Sequence, residues 1–355
     1  LLRSINYEVK SCLDDFCGTP PELKEDIKLP VNFDCREKWP EYIQEPMDQK
    51  VCGSCWSFAV TAAISDRIRI HSFVGQNKVK LLGINEQDIG KEWDEKVKST
   101  TNQKPLMTMI RDRDNNKAHD MLSPYTFAGC DICEMTYRIS EKVGDYLEQH
   151  SVCNKCCDGG ILEVAFIFAM NYGVISVSCD PEPFDYTCST YGGCPIYKVK
   201  DIYNLGYTGK STEDMGTVIS RMKKDIYING PLVVGYEVYD NFGTPQGMIP
   251  GTDVYGVQGR SVGGHAVCIM GWGVTKDKKD REIKYWLCRN SWSKNWGADG
   301  YFKILQGKNY CFIEDEAWGC VPFDVYDTSI GEVYDRPSNL ESCEHPSGGV
   351  VNPLY

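Results

Sequence analysis

The chain has 355 residues, a formal net charge of −12 and 42% hydrophobic residues. That apolar share is enough for a core and excludes a disordered chain. The negative charge argues against nucleic acid or an anionic membrane as the main partner, and no apolar run approaches membrane-spanning length.

Residues 1–28 are polar and irregular, with Pro20-Pro21 near their end, and the chain opens on Leu1 rather than Met. The natural beginning is therefore expected to lie upstream, and a leader can be neither seen nor excluded. Eighteen cysteines favour an oxidising compartment and several disulfides, with metal binding as the rival reading. There is no Asn-x-Ser/Thr sequon, so N-glycosylation is not expected.

The run Gln49-Lys50-Val51-Cys52-Gly53-Ser54-Cys55-Trp56-Ser57-Phe58 places a cysteine at the start of a predicted helix and an amide six residues before it. Val60, Ala63, Ile64 and Ile68 form the apolar stripe of that helix. A thiol at a helix N-terminus feels the positive end of the macrodipole and lies near unpaired N–H groups. Both favour the nucleophilic thiolate.

The stretch from about Gly75 to Asp120 is rich in Lys, Asp, Glu and Asn. It reads as a surface insertion, either a solvated decoration or a partner-docking surface. A second insertion lies at about 134–152. It is bracketed by Cys130-x₂-Cys133 and Cys153-x₂-Cys156, a spacing that suits a zinc ribbon as well as disulfides. Ile161 to Tyr172 is a helix pattern stopped by Gly173. Ser211 to Asn229 is another, with Ser211 and Asp214 as a capping box, Met215, Val218, Ile219, Met222 and Ile226 as its buried stripe, and Gly230-Pro231 as its stop. Short strand-like runs follow to about residue 305. Helices first and strands later imply two lobes, one α and one β.

Of the five histidines, His71, His119, His150, His265 and His345, only His265 sits in a strand-like apolar setting. Asn290 ends the next strand-like run, where it is placed to hold the imidazole, and Trp292 is placed to shield that bond. A thiol and a histidine oriented by a third polar group follow the logic of a catalytic triad. Gln49, through its side-chain NH₂, and the backbone N–H of Cys55 would then bind a developing oxyanion.

These residues carry a resemblance. Cys52-Gly53-Ser54-Cys55-Trp56 is the local signature of papain-like nucleophiles. The segments Leu29–Pro40, Ala63–Ile68, Asn229-Gly230-Pro231, Gly263–Val267, Tyr285-Trp286-Leu287, Asn290-Ser291-Trp292, Trp296-Gly297 and Gly300–Ile304 are similar to cathepsin B. Matches span about positions 29 to 319. The chain thus resembles papain-family cysteine proteases, and within them the cathepsin B group. The resemblance implies an α+β, papain-like fold of two lobes, a helical left domain and a β-barrel-like right domain, with the active site in the cleft between them. His265 lies farther beyond Cys55 than the roughly 130–150 residues expected of papain-like enzymes, and the insertions account for the excess.

The same resemblance assigns the remaining roles. Residues 1–28 become a partial inhibitory propeptide, against the plain alternative of a loose terminus. Residues 29–319 become the peptidase domain and 320–355 a C-terminal extension, which Cys320 and Cys343 would staple to the body or to each other. Cys52 would pair with Cys157, tying the nucleophile loop to Gly159 and Gly160, where a substrate backbone can approach closely. Gly264, Ala266, Trp292 and Trp296 join the substrate-binding surface. Glu316 matches the acid of the S2 pocket, which accepts Arg at P2. Two cysteines that pair in cathepsin B are both missing here, Arg69 standing at one site. This joint loss favours disulfides over zinc for Cys130, Cys133, Cys153 and Cys156.

One departure bears on activity. The stretch Cys179 to Cys194 corresponds to a loop whose adjacent histidines hold a substrate C-terminal carboxylate, and it contains no histidine. The expectation is therefore a cysteine endopeptidase acting on protein or peptide substrates without a cofactor, held in a zymogen-like form, in an acidic compartment or secreted. A dipeptide-releasing exopeptidase and a catalytically silent binding protein are the rivals.

Overall fold

In a computed structural model the chain is described over residues 27–81, 121–128, 137–143, 146–152, 154, 156–177, 197–207 and 213–322, with backbone alone at 72–81, 127–128, 137–143, 146–152 and 171. In chain order the strands are β1 (Phe33–Asp34), β2 (Tyr137–Val143), β3 (Tyr146–Val152), β4 (Val199–Asn204), β5 (Leu232–Tyr239), β6 (Val254–Tyr255), β7 (Ser261–Lys276), β8 (Glu282–Arg289), β9 (Tyr301–Leu305) and β10 (Ala317–Pro322). The α-helices are α1 (Cys35–Lys38), α2 (Cys55–Leu81), α3 (Tyr125–Ala128), α4 (Leu162–Asn171) and α5 (Met215–Asn229).

The strand-rich half forms an eight-stranded sheet in the order β4-β10-β5-β7-β8-β9-β6, with β1 added along β7. β7 is its spine. Antiparallel pairing with β5 sets Tyr236 opposite His265 and Gly235 opposite Ala266. Pairing with β8 sets Cys268 opposite Arg289. Residues 265–273 of β7 are buried without alternation, because α2 and α5 both pack against the strand. A strand covered on both faces reads as a continuous apolar run.

Helix α2 departs from the expected single stripe. Every residue from Trp56 to Ile70 is buried, since the helix runs between β5, β7 and β10 on one side and α3 and α4 on the other. Its polar residues are correspondingly bonded. Arg67 donates to the carbonyls of Pro231 (2.8 Å) and Cys320 (3.0 Å) and to Tyr203 Oη (2.7 Å), and pairs with Asp225. Asp225 also accepts from Tyr203 Oη (2.7 Å) and Asn229 Nδ2 (2.6 Å). At the preceding position, Asp66 pairs with Arg289 at 2.8 Å, both side chains buried. Fully buried charges persist when paired and hydrogen-bonded, and these two pairs tie α2 to α5, β4, β8 and β10.

Helix α2 continues to Leu81, into the stretch expected to be an insertion from about 75. The second expected insertion contains a hairpin, β2 and β3, paired in register from Tyr137↔Val152 to Val143↔Tyr146. Helix α4 matches its predicted span, with Ile161 and Tyr172 as its caps and Gly173 at φ 79° ending it. Helix α5 begins at Met215, later than expected. Its N-cap is Asp214, whose side chain makes no capping bond, and Ser211 lies outside the described residues. Val218, Met222 and Ile226 are buried as expected, while Met215 and Ile219 are partly so.

Strand β10 runs to Pro322, past the expected domain boundary at 319. Cys320 inside it is a buried free thiol bracketed by sheet neighbours. It does not staple a tail, because its side chain is enclosed in the core. Residues 1–26, 82–120, the Cys179–Cys194 stretch and the tail from 323 lie outside the described residues, as do Cys130, Cys133, Cys153 and Cys343.

Candidate active site

The loop ahead of α2 is fixed before the helix begins. Cys52 is bonded to Cys157, with their Cα atoms 4.6 Å apart, and Gly53 N donates to the Cys157 carbonyl at 3.0 Å. A Cβ on Gly53 would come within 2.2 Å of that oxygen, so only glycine permits the approach. Cys156 is also disulfide-bonded, which removes its thiolate from any zinc set. Among the described residues no cluster of three or more His, Cys, Asp or Glu side chains could hold a metal.

Cys55 is the first residue of α2. The N–H groups of Ser57 and Phe58 turn back to Ser54 O. Those of Cys55 itself, Trp56 and Ala266 point at the thiol and pull its pKa down, against a larger upward push from burial. Ala266 follows His265 in β7, so the thiol lies beside the histidine's own backbone.

His265 is held on three sides. Its Nε2 lies 2.8 Å from Asn290 Oδ1. Trp292 stacks on the ring at 4.9 Å and 29°, and Tyr236 meets it edge-on at 5.7 Å. Burial pulls the imidazole down to about 4, opposed by the Asn290 hydrogen bond. Asn290 Oδ1 also accepts from Ser291 N at 2.8 Å, so the oxygen end of the amide is the one facing the ring.

Gln49 is buried. Its Nε2 donates to Cys52 O at 2.8 Å and its Oε1 accepts from Ser291 Oγ, which fixes the amide's orientation. One hydrogen of the NH₂ is used on Cys52, and an amide has two. Ser291 therefore bonds to both Asn290 and Gln49.

The expected substrate-binding residues sort by what their backbones face. A Cβ at Gly159 (φ 102°) or Gly264 would meet nothing within 4 Å, whereas one at Gly160 would strike the Trp56 ring at 2.7 Å. Glycine at 160 thus serves packing, and openness belongs to 159 and 264. Glu316 is pushed up in pKa by burial. Trp318 Nε1 donates to its Oε1, and its Oε2 sits 3.1 Å from where a Gly235 Cβ would be, with Leu162 beside it. Because Gly235 pairs with Ala266, Glu316, Gly235, Leu162 and Ala266 converge. Trp296 packs edge-on to Trp292 at 5.1 Å.

Sequence reasoning missed Tyr236, Ser291, Trp318 and Leu162. It also missed Asn154, which bonds both the N–H and C=O of Ile161 at the start of α4. Ser291 adjoins a residue already singled out. The others are ordinary residue types: Tyr236 is set opposite His265 by sheet pairing, Trp318 lies two residues from Glu316, Leu162 begins α4, and Asn154 bonds to its cap Ile161.

The chain is similar to known proteins over most of its length. The family model described as papain family cysteine protease matches residues 29–89 and 115–321. The chain is 30% identical over 319 residues to cathepsin B-like cysteine proteinase 4 of Caenorhabditis elegans, covering 85% of this chain and 77% of the relative. It is 30% identical over 321 residues to cathepsin B-like CP3 of Giardia intestinalis, covering 90% and 83%. In structure it is similar to proCathepsin B S9 from Trypanosoma congolense, with a TM-score of 0.56 at 23% identity, covering 87% of this chain and 84% of that one.

Proposed function

The chain belongs to the papain family of cysteine proteases, and from that premise we propose that it is an endopeptidase in which Cys55 attacks the scissile carbonyl, His265 carries the proton and Asn290 and Gln49 support them. The observation that supports this reading is a helix-initiating thiol beside the N–H of Ala266, the residue that follows a histidine fixed through Nε2 by Asn290.

Each buried group alone resists charge: burial raises Cys55 and lowers His265. The charged form that suits the site is therefore the pair, thiolate beside imidazolium. The Cys55, Trp56 and Ala266 N–H groups support the thiolate, and Asn290 Oδ1 supports the imidazolium. Attack forms a tetrahedral oxyanion received by the Cys55 N–H and the remaining Gln49 N–H. His265 then protonates the leaving amine, a thioester remains, and water activated by His265 hydrolyses it.

Glu316 beside Gly235 and Ala266 supports acceptance of Arg at P2 as well as apolar groups. The lack of histidine from 179 to 194 supports internal cleavage over dipeptide release. Residues 1–28 are assigned as an inhibitory pro-segment of a peptidase domain that begins near residue 29, and the enzyme as one of an acidic or secreted setting. Among the described residues no helix is long and apolar enough to cross a membrane.

The test compares the chain, with and without residues 1–28, against Cys55→Ala under reducing, mildly acidic conditions. Cleavage of an internally quenched peptide, lost in the mutant, with little release of C-terminal dipeptides, is expected. Efficient dipeptide release would make it an exopeptidase. Cleavage that survives Cys55→Ala would remove Cys55 from the mechanism.

A further inference from the structure

Beside Asn290 lies a partly open cavity of about 20 Å³ lined by Gln44, Met47, Ala62, Cys268, Arg289 and Asn290 among others. A space of roughly 10–15 Å³ suffices for one water when two to four polar partners surround it. Two such partners are present and unpaired. Asn290 Nδ2 and Gln44 Oε1 are both buried without a hydrogen-bond partner, on side chains only 2% exposed.

Their chemistry is complementary. Asn290 Nδ2 is a donor needing an acceptor, and Gln44 Oε1 is an acceptor needing a donor. Water is both. Neither group is free to turn away. Asn290 Oδ1 is claimed by His265 and Ser291 N. Gln44 is clamped at its backbone, its N–H donating to Asp66 Oδ1 at 2.6 Å and its carbonyl accepting from Arg289 Nη1 at 2.6 Å. Its Nε2 is turned to Met47 Sδ at 2.9 Å, leaving Oε1 as the open end.

We propose that this cavity is a binding site for one water molecule, which bridges Gln44 and Asn290 and makes Gln44 a positioning residue for His265. The inference rests on His265 and Asn290 acting as described above. A buried donor without a partner costs free energy, whereas one bonded to water does not. With the bridge in place, the cheapest state of the Asn290 amide has oxygen toward the imidazole. Without it, exchanging the two ends of the amide relieves Nδ2 but turns a donor toward His265 Nε2 and Ser291 N. An imidazolium facing a donor loses its support, and the ring loses its set orientation.

The experiment is a double-mutant cycle on kcat and on the pH profile, backed by a high-resolution crystal structure of the whole chain. Gln44→Met keeps the length of the side chain and removes the amide. It is expected to lower kcat about tenfold, the scale of a small misplacement of a catalytic group, with KM little changed. The alkaline limb of kcat/KM should move to lower pH, since a less supported imidazolium loses its proton sooner. In an Asn290→Ala background Gln44→Met should do nothing further. Ala62→Val, which adds bulk to the cavity lining while leaving both amides in the sequence, should reproduce the effect and serves if Gln44→Met fails to fold. The crystal structure should show an ordered water within hydrogen-bond distance of both amides. Additive losses, or a dry cavity, would overturn the proposal while leaving Asn290 in its role. An Asn290→Ala enzyme with full kcat would overturn both.

Discussion

At the scale of single residues, the site depends on amides whose two ends are told apart by their neighbours. Gln49 gives one N–H to Cys52 and accepts from Ser291, which leaves its second N–H for the proposed oxyanion. Gln49→Ala is expected to lower kcat by roughly 10²–10³, the range for loss of one oxyanion donor. Steady-state kinetics with KM measured separately checks this, and an unchanged kcat would exclude Gln49. Tyr236 poses the opposite case. Its ring flanks His265, yet its hydroxyl is buried without a partner. An unsatisfied buried hydroxyl is a cost, so Tyr236→Phe should raise stability by about 1 kcal/mol in a denaturant titration. A loss of stability would mean that the hydroxyl is bonded after all.

At the scale of elements, α2 shows what periodicity reveals and what it hides. Its existence, its start at Cys55 and its apolar stripe are all legible, because a cysteine after Gly-Ser followed by i, i+3, i+4 spacing is a local pattern. That Asp66 and Arg67 are as buried as Ile64 is not legible, because their partners Arg289 and Asp225 come from distant elements. The same holds for α5. Its stop at Gly230-Pro231 is written locally, whereas its start could be misplaced at Ser211 because a capping pattern is only a short motif. The buried pair supplies a prediction. Arg67→Met strands Asp225 in the core and should cost about 3–5 kcal/mol. Adding Asp225→Leu should recover much of that loss, as thermal melts of the single and double variants would show. Equal stability of wild type and Arg67→Met would mean that the pair contributes nothing.

At the scale of the whole molecule, the α+β fold was legible in helix patterns that precede strand patterns, and Cys55, His265, Asn290 and Gln49 each sit in a short motif of their own. The surroundings of Glu316 were not legible, since Gly235, Leu162 and Ala266 come to it from three separate stretches of chain. That assembly sets a pH dependence. Burial raises the Glu316 carboxyl above the ordinary range, with the Trp318 hydrogen bond opposing. The carboxylate is therefore present above that raised pKa and lost as pH falls through it. Preference for Arg over Phe at P2 should rise with pH across this transition, and Glu316→Gln should flatten the curve. A preference that keeps its pH dependence in Glu316→Gln would place the acid elsewhere.

The bridge between Cys52 and Cys157 spans 105 residues of sequence, and the whole charged stretch from 82 to 120 falls inside that span. A cut anywhere in the stretch would break the polypeptide without parting the halves. The nucleophile would stay on a short amino-terminal piece, the histidine on a long carboxy-terminal one, and a covalent link plus the Arg67 and Asp66 ion pairs would hold them together. Such a nicked enzyme would migrate as a single species on a denaturing gel without reductant and as two bands with it. A cut there would therefore leave Cys55 covalently joined to the rest of the chain.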